Sequence, residues 1–284
     1  MVGCDFRTTQ TITLLSHLHY LTRYKIAEKF GSAIEHPNLL IVNCLARRAR
    51  SCKLRVMLDP TPTPANFAHD PTWRVFRIMA EFIEGFTMLG GLPKSITVFG
   101  SARVAEDHEL YIAARELGQK MAQAKIGVVT GGGPGIMEAA NRGAFEAGGA
   151  SIGLNIRLPH EQSTNPWVTE SETFNYFYTR KVMLSFAAEA YVYFPGGFGT
   201  LDEFFEIANL MATGKIEQHI PIVLYGAEYW QPLLGWMRRS LADRFEFITA
   251  EEIKFFTLVD SVEDIVEIVK ETKPRQIQPF ELGK

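Results

Sequence analysis

The feature that most constrains the fold of this chain is an apolar run that ends in a glycine-rich turn and continues as a helix. Residues 189–194 are strand-like, the sequence PGGFG follows at 195–199, and a helical pattern then runs to Ala212. Glycines let the backbone turn tightly and let another molecule approach the main chain. A helix that starts at such a turn points free N–H groups and the positive end of its dipole outward. This pattern is typical of a phosphate-binding turn.

The same order of elements recurs along the chain and predicts its architecture. Helical patterns follow a series of short strand-like runs, at 95–99, 126–129, 151–156, 189–194 and 221–225. Such alternation predicts a parallel sheet with helices on both faces. The predicted fold class is α/β, a Rossmann-like doubly wound parallel sheet flanked by helices, with an N-terminal extension. Ligands of such sheets bind beyond the carboxyl ends of the strands, where the glycine-rich turns lie.

The beginning of the chain differs in composition from the rest. Residues 1–58 hold nine Lys and Arg against three Asp and Glu, whereas the remainder of the 284 residues holds 20 against 29. We predict a poorly ordered basic extension with a Pro-rich linker at 1–66 and the Rossmann-like domain at 67–284. Because this main domain is acidic, we expect no nucleic acid as a partner.

Several other protein classes are disfavoured by the sequence. No run reaches the roughly 18 consecutive apolar residues that a membrane-spanning helix needs, so we expect no membrane partner. The three cysteines and seven histidines show no spacing typical of a disulfide framework or a metal site. We therefore expect a cytoplasmic location, no metal and no cofactor.

A helix predicted from Pro71 to Met88 has an unusually aromatic side. Its stripe of large apolar residues comprises Trp73, Phe76, Ile78, Met79, Phe82, Ile83 and Phe86. A stripe at helical spacing is typical of a buried helix face. We predict that it packs against the main domain, with a contact between subunits as the alternative.

A second glycine-rich turn follows the second predicted strand. Its sequence is TGGGPG at 130–135, with Pro134 in the first helical turn, where proline is well tolerated. Glycines 131–133 offer bare N–H groups, and we expect Glu138 and Asn141 to reach back toward a bound molecule. Two such turns in one sheet predict two anion sites that converge. The alternative is an ordinary connection in which glycines ease contact between helix and sheet.

Thr200 and Glu203 admit two interpretations. They have the T-x-x-E spacing of a capping box, in which the threonine caps the helix and the glutamate bonds back to the cap. That local role explains both residues for about 1 kcal/mol, but it does not explain the glycines before them. If Glu203 instead faces a bound molecule, the positive helix end keeps its carboxylate ionised at neutral pH. It then serves as an anionic stabiliser or an orienting base, and poorly as a proton donor.

Arg180 and Lys181 lie near the predicted start of another helix. A cation there is disfavoured by a few tenths to about 1 kcal/mol, because it meets the positive end of the helix dipole. We predict that Arg180 meets an anion, since its planar fork suits phosphate or carboxylate. For Lys181, a solvated helix face is the simpler interpretation.

Three segments of the chain resemble the LONELY GUY (LOG) family of cytokinin riboside 5′-monophosphate phosphoribohydrolases. They are GGGPGIME at 131–138, RKxM at 180–183 and PGGFGTxxE at 195–203, and the resemblance extends from about Trp73 to Val269. The glutamate at 138 and the sequence VFGSAR at 98–103 look more like the longer bacterial branch than the plant members. Some members of the superfamily have carried the label lysine decarboxylase. That chemistry normally needs pyridoxal phosphate on an active-site lysine, and we find no motif for it.

The resemblance implies a nucleotide-binding hydrolase. Such a protein cleaves the N-glycosidic bond of AMP, or of an N6-modified cytokinin nucleoside 5′-monophosphate, into free base and ribose 5-phosphate, and it works as a homodimer or a higher homo-oligomer. Arg180 and Glu203 match the family's catalytic pair. The residues expected to bind the substrate or its phosphate are Ser101, Gly131, Gly132, Gly133, Gly135, Met137, Glu138, Lys181, Gly196, Gly197, Gly199 and Thr200.

A second hypothesis belongs to a different functional class. The chain could be a non-catalytic nucleotide- or cofactor-binding carrier on the same fold. This hypothesis predicts tight binding of a phosphate-bearing ligand without turnover. The joint presence of Arg180 and Glu203 favours the enzyme, because a binder does not require that pair.

Overall fold

A computed structural model describes residues 71–158, 164–217 and 219–273. These ranges cover most of the predicted main domain. The basic extension and linker predicted at 1–66, and the boundary between them and the main domain, lie outside the described residues.

The described residues form one sheet of seven parallel strands in the order β4-β3-β2-β1-β5-β6-β7. The strands are β1 Ser95–Phe99, β2 Gly127–Thr130, β3 Ser151–Ile156, β4 Glu170–Phe174, β5 Tyr191–Tyr193, β6 Ile222–Tyr225 and β7 Phe256–Val259. Thr97 in the centre of β1 lies opposite Val129 of β2 and Tyr191 of β5. The chain proceeds outward from β1 to β4 and then returns to the other side of β1. The switch point of the sheet, where ligands of such folds bind, is therefore between β1 and β5.

Helices cover both faces of this sheet. The α-helices of the described residues are α1 Pro71–Gly90, α2 Glu109–Gln123, α3 Ile136–Glu146, α4 Phe177–Phe186, α5 Phe198–Ala212, α6 Ala227–Trp236 and α7 Val262–Glu271. A π-helical segment, Met237–Arg244, continues α6, and a 3₁₀ turn, Glu252–Phe255, leads into β7. None of the helices in this part of the chain has the length and hydrophobicity to span a bilayer.

Two separate apolar clusters hold the layers together. Helices α2, α3 and α7 pack on one face around Ile96, Val98 and Val128. Helices α4, α5 and α6 pack on the other face around Phe99 and Tyr193. Parallel strands that are covered on both faces need apolar side chains in both directions, which explains the uninterrupted apolar runs in the sequence. The predicted doubly wound α/β fold is confirmed.

Two strands were missed by the sequence patterns. Neither β4, which begins at Glu170, nor β7, which begins at Phe256, has a counterpart among the strand-like runs predicted from the sequence. Only Phe174 of β4 and Val259 of β7 are fully buried. Both strands lie at the edges of the sheet. The sequence of β4, ESETF, is polar except for Phe174, whereas β7, FTLV, is a short apolar run that the prediction missed.

The aromatic side of α1 is largely exposed, so the prediction that it packs against the domain is wrong for most of the stripe. Trp73 is 45% exposed, Met79 is 50% exposed and Ile83 is 64% exposed. The buried side of α1 instead carries Glu81 and Leu89, with Gly85 between them at helical spacing. This narrow face lets the helix lie close to α4, as a Cβ at residue 85 would come within 2.6 Å of the Met183 sulfur.

Candidate active site

A cavity of about 770 Å³ lies beyond the carboxyl ends of β1, β2, β3 and β5. Its volume is in the range of small-molecule binding sites, roughly 300–1,000 Å³. The cavity spans the switch point of the sheet, and both glycine-rich turns reach it. The position agrees with the general rule for doubly wound sheets.

Most of the residues predicted for the site surround this one cavity. Those that line it are Ser101, Gly131, Gly132, Gly133, Met137, Arg180, Gly197, Gly199, Thr200 and Glu203. Four others do not line it: Gly135, Glu138, Lys181 and Gly196. The fold therefore joins residues from β1, from both turns, from α4 and from α5.

Helix α5 begins inside the glycine-rich turn and leaves its first turn open. Gly197 is the N-cap residue, and no side chain of the described residues caps the helix. The amide of Leu201 donates the first helical hydrogen bond, to the Gly197 carbonyl at 3.0 Å. The capping-box interpretation is therefore wrong, because Thr200 is already the third residue of the helix and Glu203 belongs to its second turn. Free N–H groups at such a start suit an anion.

Gly196 shapes the start of α5 without lining the cavity. A Cβ at this position would lie 2.1 Å from the Thr200 hydroxyl and 3.0 Å from the Ser101 amide. The Ser101 amide in turn donates to the Pro195 carbonyl at 3.1 Å. The absence of a side chain lets Thr200 and the end of β1 approach each other at the cavity wall.

The turn at 130–135 is braced by the protein itself. The amide of Gly132 donates to the Thr130 hydroxyl at 2.9 Å, and the first amide of α3, that of Ile136, donates to the Ser101 carbonyl at 3.0 Å. The backbone amide of Asn165 donates to the Gly132 carbonyl, and its side-chain Nδ2 donates to the Gly133 carbonyl. The two glycine-rich turns are therefore not equivalent anion sites, because the Gly132 and Ile136 amides already donate to groups of the protein. The start of α5 is the more open of the two.

Glu138 does not reach back toward the cavity, so that prediction is wrong. Its Oε1 accepts a hydrogen bond from the Tyr111 hydroxyl at 3.3 Å. This contact joins α3 to α2 on the face of the sheet that carries the first apolar cluster.

Lys181 is neither solvated nor part of the cavity lining. Its ammonium group forms ion pairs with Asp202 at 2.9 Å and with Glu206 at 2.5 Å. Both partners belong to α5 and flank Glu203 in sequence. Lys181 therefore ties α4 to α5 and brings a positive charge close to Glu203.

Arg180 is a half-buried cation at the cavity wall. Its Nε donates to the Leu154 carbonyl at 2.8 Å. A Cβ at Gly131 would come within 2.2 Å of its Nη2, so the glycine provides the space for the guanidinium group. Burial lowers the pKa of Arg180 and the charge of Glu203 opposes this shift. An arginine still remains protonated at neutral pH.

Glu203 is a buried carboxyl group without a hydrogen-bond partner for Oε2 among the described residues. It is 7% exposed. Burial raises its pKa to about 7, while the charge of Lys181 and, more weakly, that of Arg180 oppose the rise. The expectation of a carboxylate that is fully ionised at neutral pH is therefore wrong. Loss of hydration outweighs the helix end and the two cations.

Asn155 belongs to the cavity lining but was not predicted. It lies at the carboxyl end of β3, it is 8% exposed, and its Nδ2 has no hydrogen-bond partner among the described residues. The signal that was available is an asparagine between two large apolar residues, Leu154 and Ile156, in the strand-like run. A buried, unpaired amide in a cavity is a donor that a ligand can satisfy.

The described lining of the cavity contains no lysine. The described ranges also contain no group of three or more His, Cys, Asp or Glu residues arranged to hold a metal ion. The titratable lining groups that combine burial with a shifted pKa are Arg180 and Glu203.

Comparison with known proteins gives related findings at the level of sequence and fold. Residues 137–269 match a family model described as "Possible lysine decarboxylase". A cytokinin riboside 5′-monophosphate phosphoribohydrolase of Rhodococcoides fascians is 28% identical over 159 residues, which is 54% of this chain and 78% of the relative. A protein of the same name from Arabidopsis thaliana is 27% identical over 186 residues, which is 64% of this chain and 85% of the relative.

Among solved structures, the molybdenum cofactor carrier protein of Chlamydomonas reinhardtii is 24% identical, with a TM-score of 0.47. The alignment covers 63% of this chain and 96% of that chain. The family model and the sequence relatives support the resemblance of this chain to the LONELY GUY (LOG) family.

Proposed function

We propose that the protein hydrolyses the N-glycosidic bond of AMP, or of an N6-modified nucleoside 5′-monophosphate, to give free base and ribose 5-phosphate. The names of the sequence relatives support this class of reaction. The observation that carries the proposal is Glu203, whose buried Oε2 has no hydrogen-bond partner among the described residues and whose pKa is raised to about 7 by burial. It lines the same cavity as the fixed cation Arg180.

In this proposal the open start of α5 holds the phosphate of the substrate. The turn at 196–199 gives the ligand access to the backbone, since a Cβ at Gly197 or Gly199 would meet no described atom within 4 Å. The helix dipole favours a dianion at that point. Phosphate binding then fixes the ribose relative to Glu203, so that binding energy remote from the reacting bond is used for positioning.

The cavity has the length that a nucleotide needs. Its wall runs from β5 to β3, which is three strand spacings, or about 14 Å at about 4.8 Å per strand. With the phosphate beside α5, the base would lie toward Arg180 and Asn155. The Asn155 Nδ2, which has no hydrogen-bond partner among the described residues, is then available to the base or the ribose.

The reaction needs an acceptor for one proton and stabilisation of two developing charges. The bond between C1′ and the base nitrogen breaks with its electron pair going to the base, and C1′ gains oxocarbenium character. Ionised Glu203 stabilises that positive charge and takes a proton from the attacking water, whose oxygen bonds to C1′. Arg180 stabilises the electron-rich departing base, which is protonated from the solvent. A general base works best with a pKa near the operating pH, and the pKa of Glu203, about 7, meets this condition.

Decarboxylation of lysine is not proposed, in spite of the description of the family model. That reaction normally uses an active-site lysine that binds pyridoxal phosphate, and no lysine is among the described lining residues.

We also propose that two copies of the chain associate. Exposed apolar side chains on α1, such as Met79 and Ile83, support this, because large exposed apolar patches commonly mark contacts between proteins.

The test is a product assay with the full chain. Purified protein is incubated with AMP and with isopentenyl-AMP, with adenosine as the substrate that lacks a phosphate, and free base is followed by chromatography. We expect base from a monophosphate, little from adenosine, and a loss of at least about 100-fold in Glu203→Ala. Glu267→Ala on the opposite face of the sheet is the control and should keep its activity. Binding of AMP without release of base from either monophosphate would support the carrier hypothesis instead.

A further inference from the structure

A second buried carboxylate lies outside the cavity, on α1. Glu81 is 6% exposed, although most of the helix around it faces solvent. Buried carboxylates are rare unless they are paired or strongly hydrogen-bonded. The mechanism proposed above does not use this group, so its burial needs a separate reason.

Among the described residues, the hydrogen bonds to the Glu81 carboxylate come from the segment that starts α4. Its Oε1 accepts from the backbone amide of Asn175 at 2.9 Å and from the Asn175 side-chain amide at 2.9 Å. Its Oε2 accepts from the Thr179 hydroxyl at 2.6 Å. The carboxylate therefore joins the residues just before α4 to the first turn of the helix.

Helix α4 has no side-chain cap of its own. Its N-cap residue is Tyr176, whose side chain makes no capping hydrogen bond. A helix start without a cap frays more easily, since its first N–H groups lack partners. Glu81 does not accept from the first N–H groups of the helix, but its bonds to Asn175 and to the Thr179 hydroxyl tie the start of α4 to α1.

The negative charge of Glu81 also affects the electrostatics at the start of α4. Arg180 and Lys181 place two cations near the positive end of the α4 dipole, which is unfavourable. A carboxylate at that end offsets this cost. Burial raises the pKa of Glu81, but the hydrogen bonds from Thr179 and Asn175 together outweigh burial and keep it below its ordinary value. The group is therefore ionised at neutral pH.

The part of α4 that Glu81 holds is the part that lines the cavity. Thr179 directly precedes Arg180, and Phe177 in the same turn also lines the cavity. Any loosening of this turn would move the guanidinium group away from the Leu154 carbonyl that fixes it. Geometry of this kind affects rate strongly, as a displacement of about 1 Å can cost about 100-fold.

We propose that Glu81 is a positioning residue, which fixes the first turn of α4 and thereby holds Arg180 in place for the reaction. This inference rests on the proposed function. It makes α1 part of the functional unit, although α1 lies outside residues 137–269, which the family model matches. A role limited to attaching α1 would not require a charge, because apolar side chains of similar size serve that purpose at least as well.

The test compares Glu81→Gln with Glu84→Gln, a substitution at an exposed glutamate on the same helix. We expect Glu81→Gln to lower kcat for base release by about 10- to 100-fold with little change in KM, because phosphate binding at α5 is not affected. Glu84→Gln should behave as the wild type. An unchanged kcat in Glu81→Gln would overturn the proposal, and so would an equal loss in both variants.

Thr179 gives a second route that does not depend on Glu81→Gln folding well. Thr179→Val removes one of the bonds and should lower kcat, whereas Thr179→Ser keeps the hydroxyl and should restore it. In the double variant Glu81→Gln, Thr179→Val the losses should be less than additive, since both changes break the same interaction. Full additivity, or no rescue by serine, would contradict the proposed link.

Hydrogen exchange separates this proposal from the proposed function. In Glu81→Gln the amides at 177–181 should exchange faster than in Glu84→Gln, while those of the central strands should not change. This readout needs no turnover. If the wild type releases no base from any monophosphate, the proposed function fails. If exchange at 177–181 is unchanged, the positioning role fails.

Discussion

Replacing Glu203 by glutamine should stabilise the folded protein in a way that depends on pH. The pKa of Glu203 is raised from an ordinary value of 4.5 to about 7, mainly because the group is buried. Folding must therefore either protonate this group or bury its charge. At about 1.4 kcal/mol per pH unit, the difference between the two values corresponds to about 3 kcal/mol.

The sign follows from the direction of the shift. Below the pKa of the unfolded state the carboxyl group is protonated in both states, so its burial costs nothing extra. As pH rises, the unfolded state loses its proton first, and stability falls until the folded pKa of about 7 is passed. Glu203→Gln lacks the ionisation and should escape this loss. We expect it to be more stable than the wild type by up to about 3 kcal/mol near pH 8.5 and to be similar near pH 4.5.

Urea denaturation at both pH values measures this difference directly through the free energy of unfolding. Glu267→Gln on α7 is the control, because this residue is exposed and should show no pH-dependent gain. The reasoning would be refuted if Glu203→Gln gained the same stability at both pH values, or if it were less stable than the wild type at the higher one.

Two further predictions concern the cations near Glu203. Gly131→Ala should displace Arg180, because the new Cβ would lie 2.2 Å from the Arg180 Nη2. We expect kcat to fall while the fold is kept. The control is Gly90→Ala, since a Cβ at Gly90 meets no described atom within 4 Å. Lys181→Met removes the charge that most strongly lowers the pKa of Glu203, so the acidic limb of the pH–rate profile should move to higher pH. An unmoved limb would show that another group controls it.

Much of the fold and part of the site followed from local sequence patterns. Buried parallel strands leave short apolar runs, and a turn such as 195–199 needs glycine for backbone reasons that do not depend on distant residues. The edge strand β4 was missed because only its last residue, Phe174, is buried. The carboxyl ends of parallel strands meet at one edge, so the two glycine turns could be assigned to one region.

The electrostatic properties of the site depend on contacts that no local pattern reveals. The T-x-x-E spacing suggested a cap, but the helix starts earlier, at the glycines, so Glu203 is buried in the second turn instead. Lys181 meets its partners across two helices. Glu81 lies more than 90 residues before the segment that it holds. These contacts exist only once the chain is folded.

The most direct test of the account is the rate of base release from AMP as a function of pH, measured for the wild type and for Glu203→Gln. If ionised Glu203 is the general base, kcat/KM of the wild type should rise through about pH 7. The variant should be lower by at least about 100-fold and should not show that ionisation. No release of base by the wild type, or the same profile in the variant, would contradict the account.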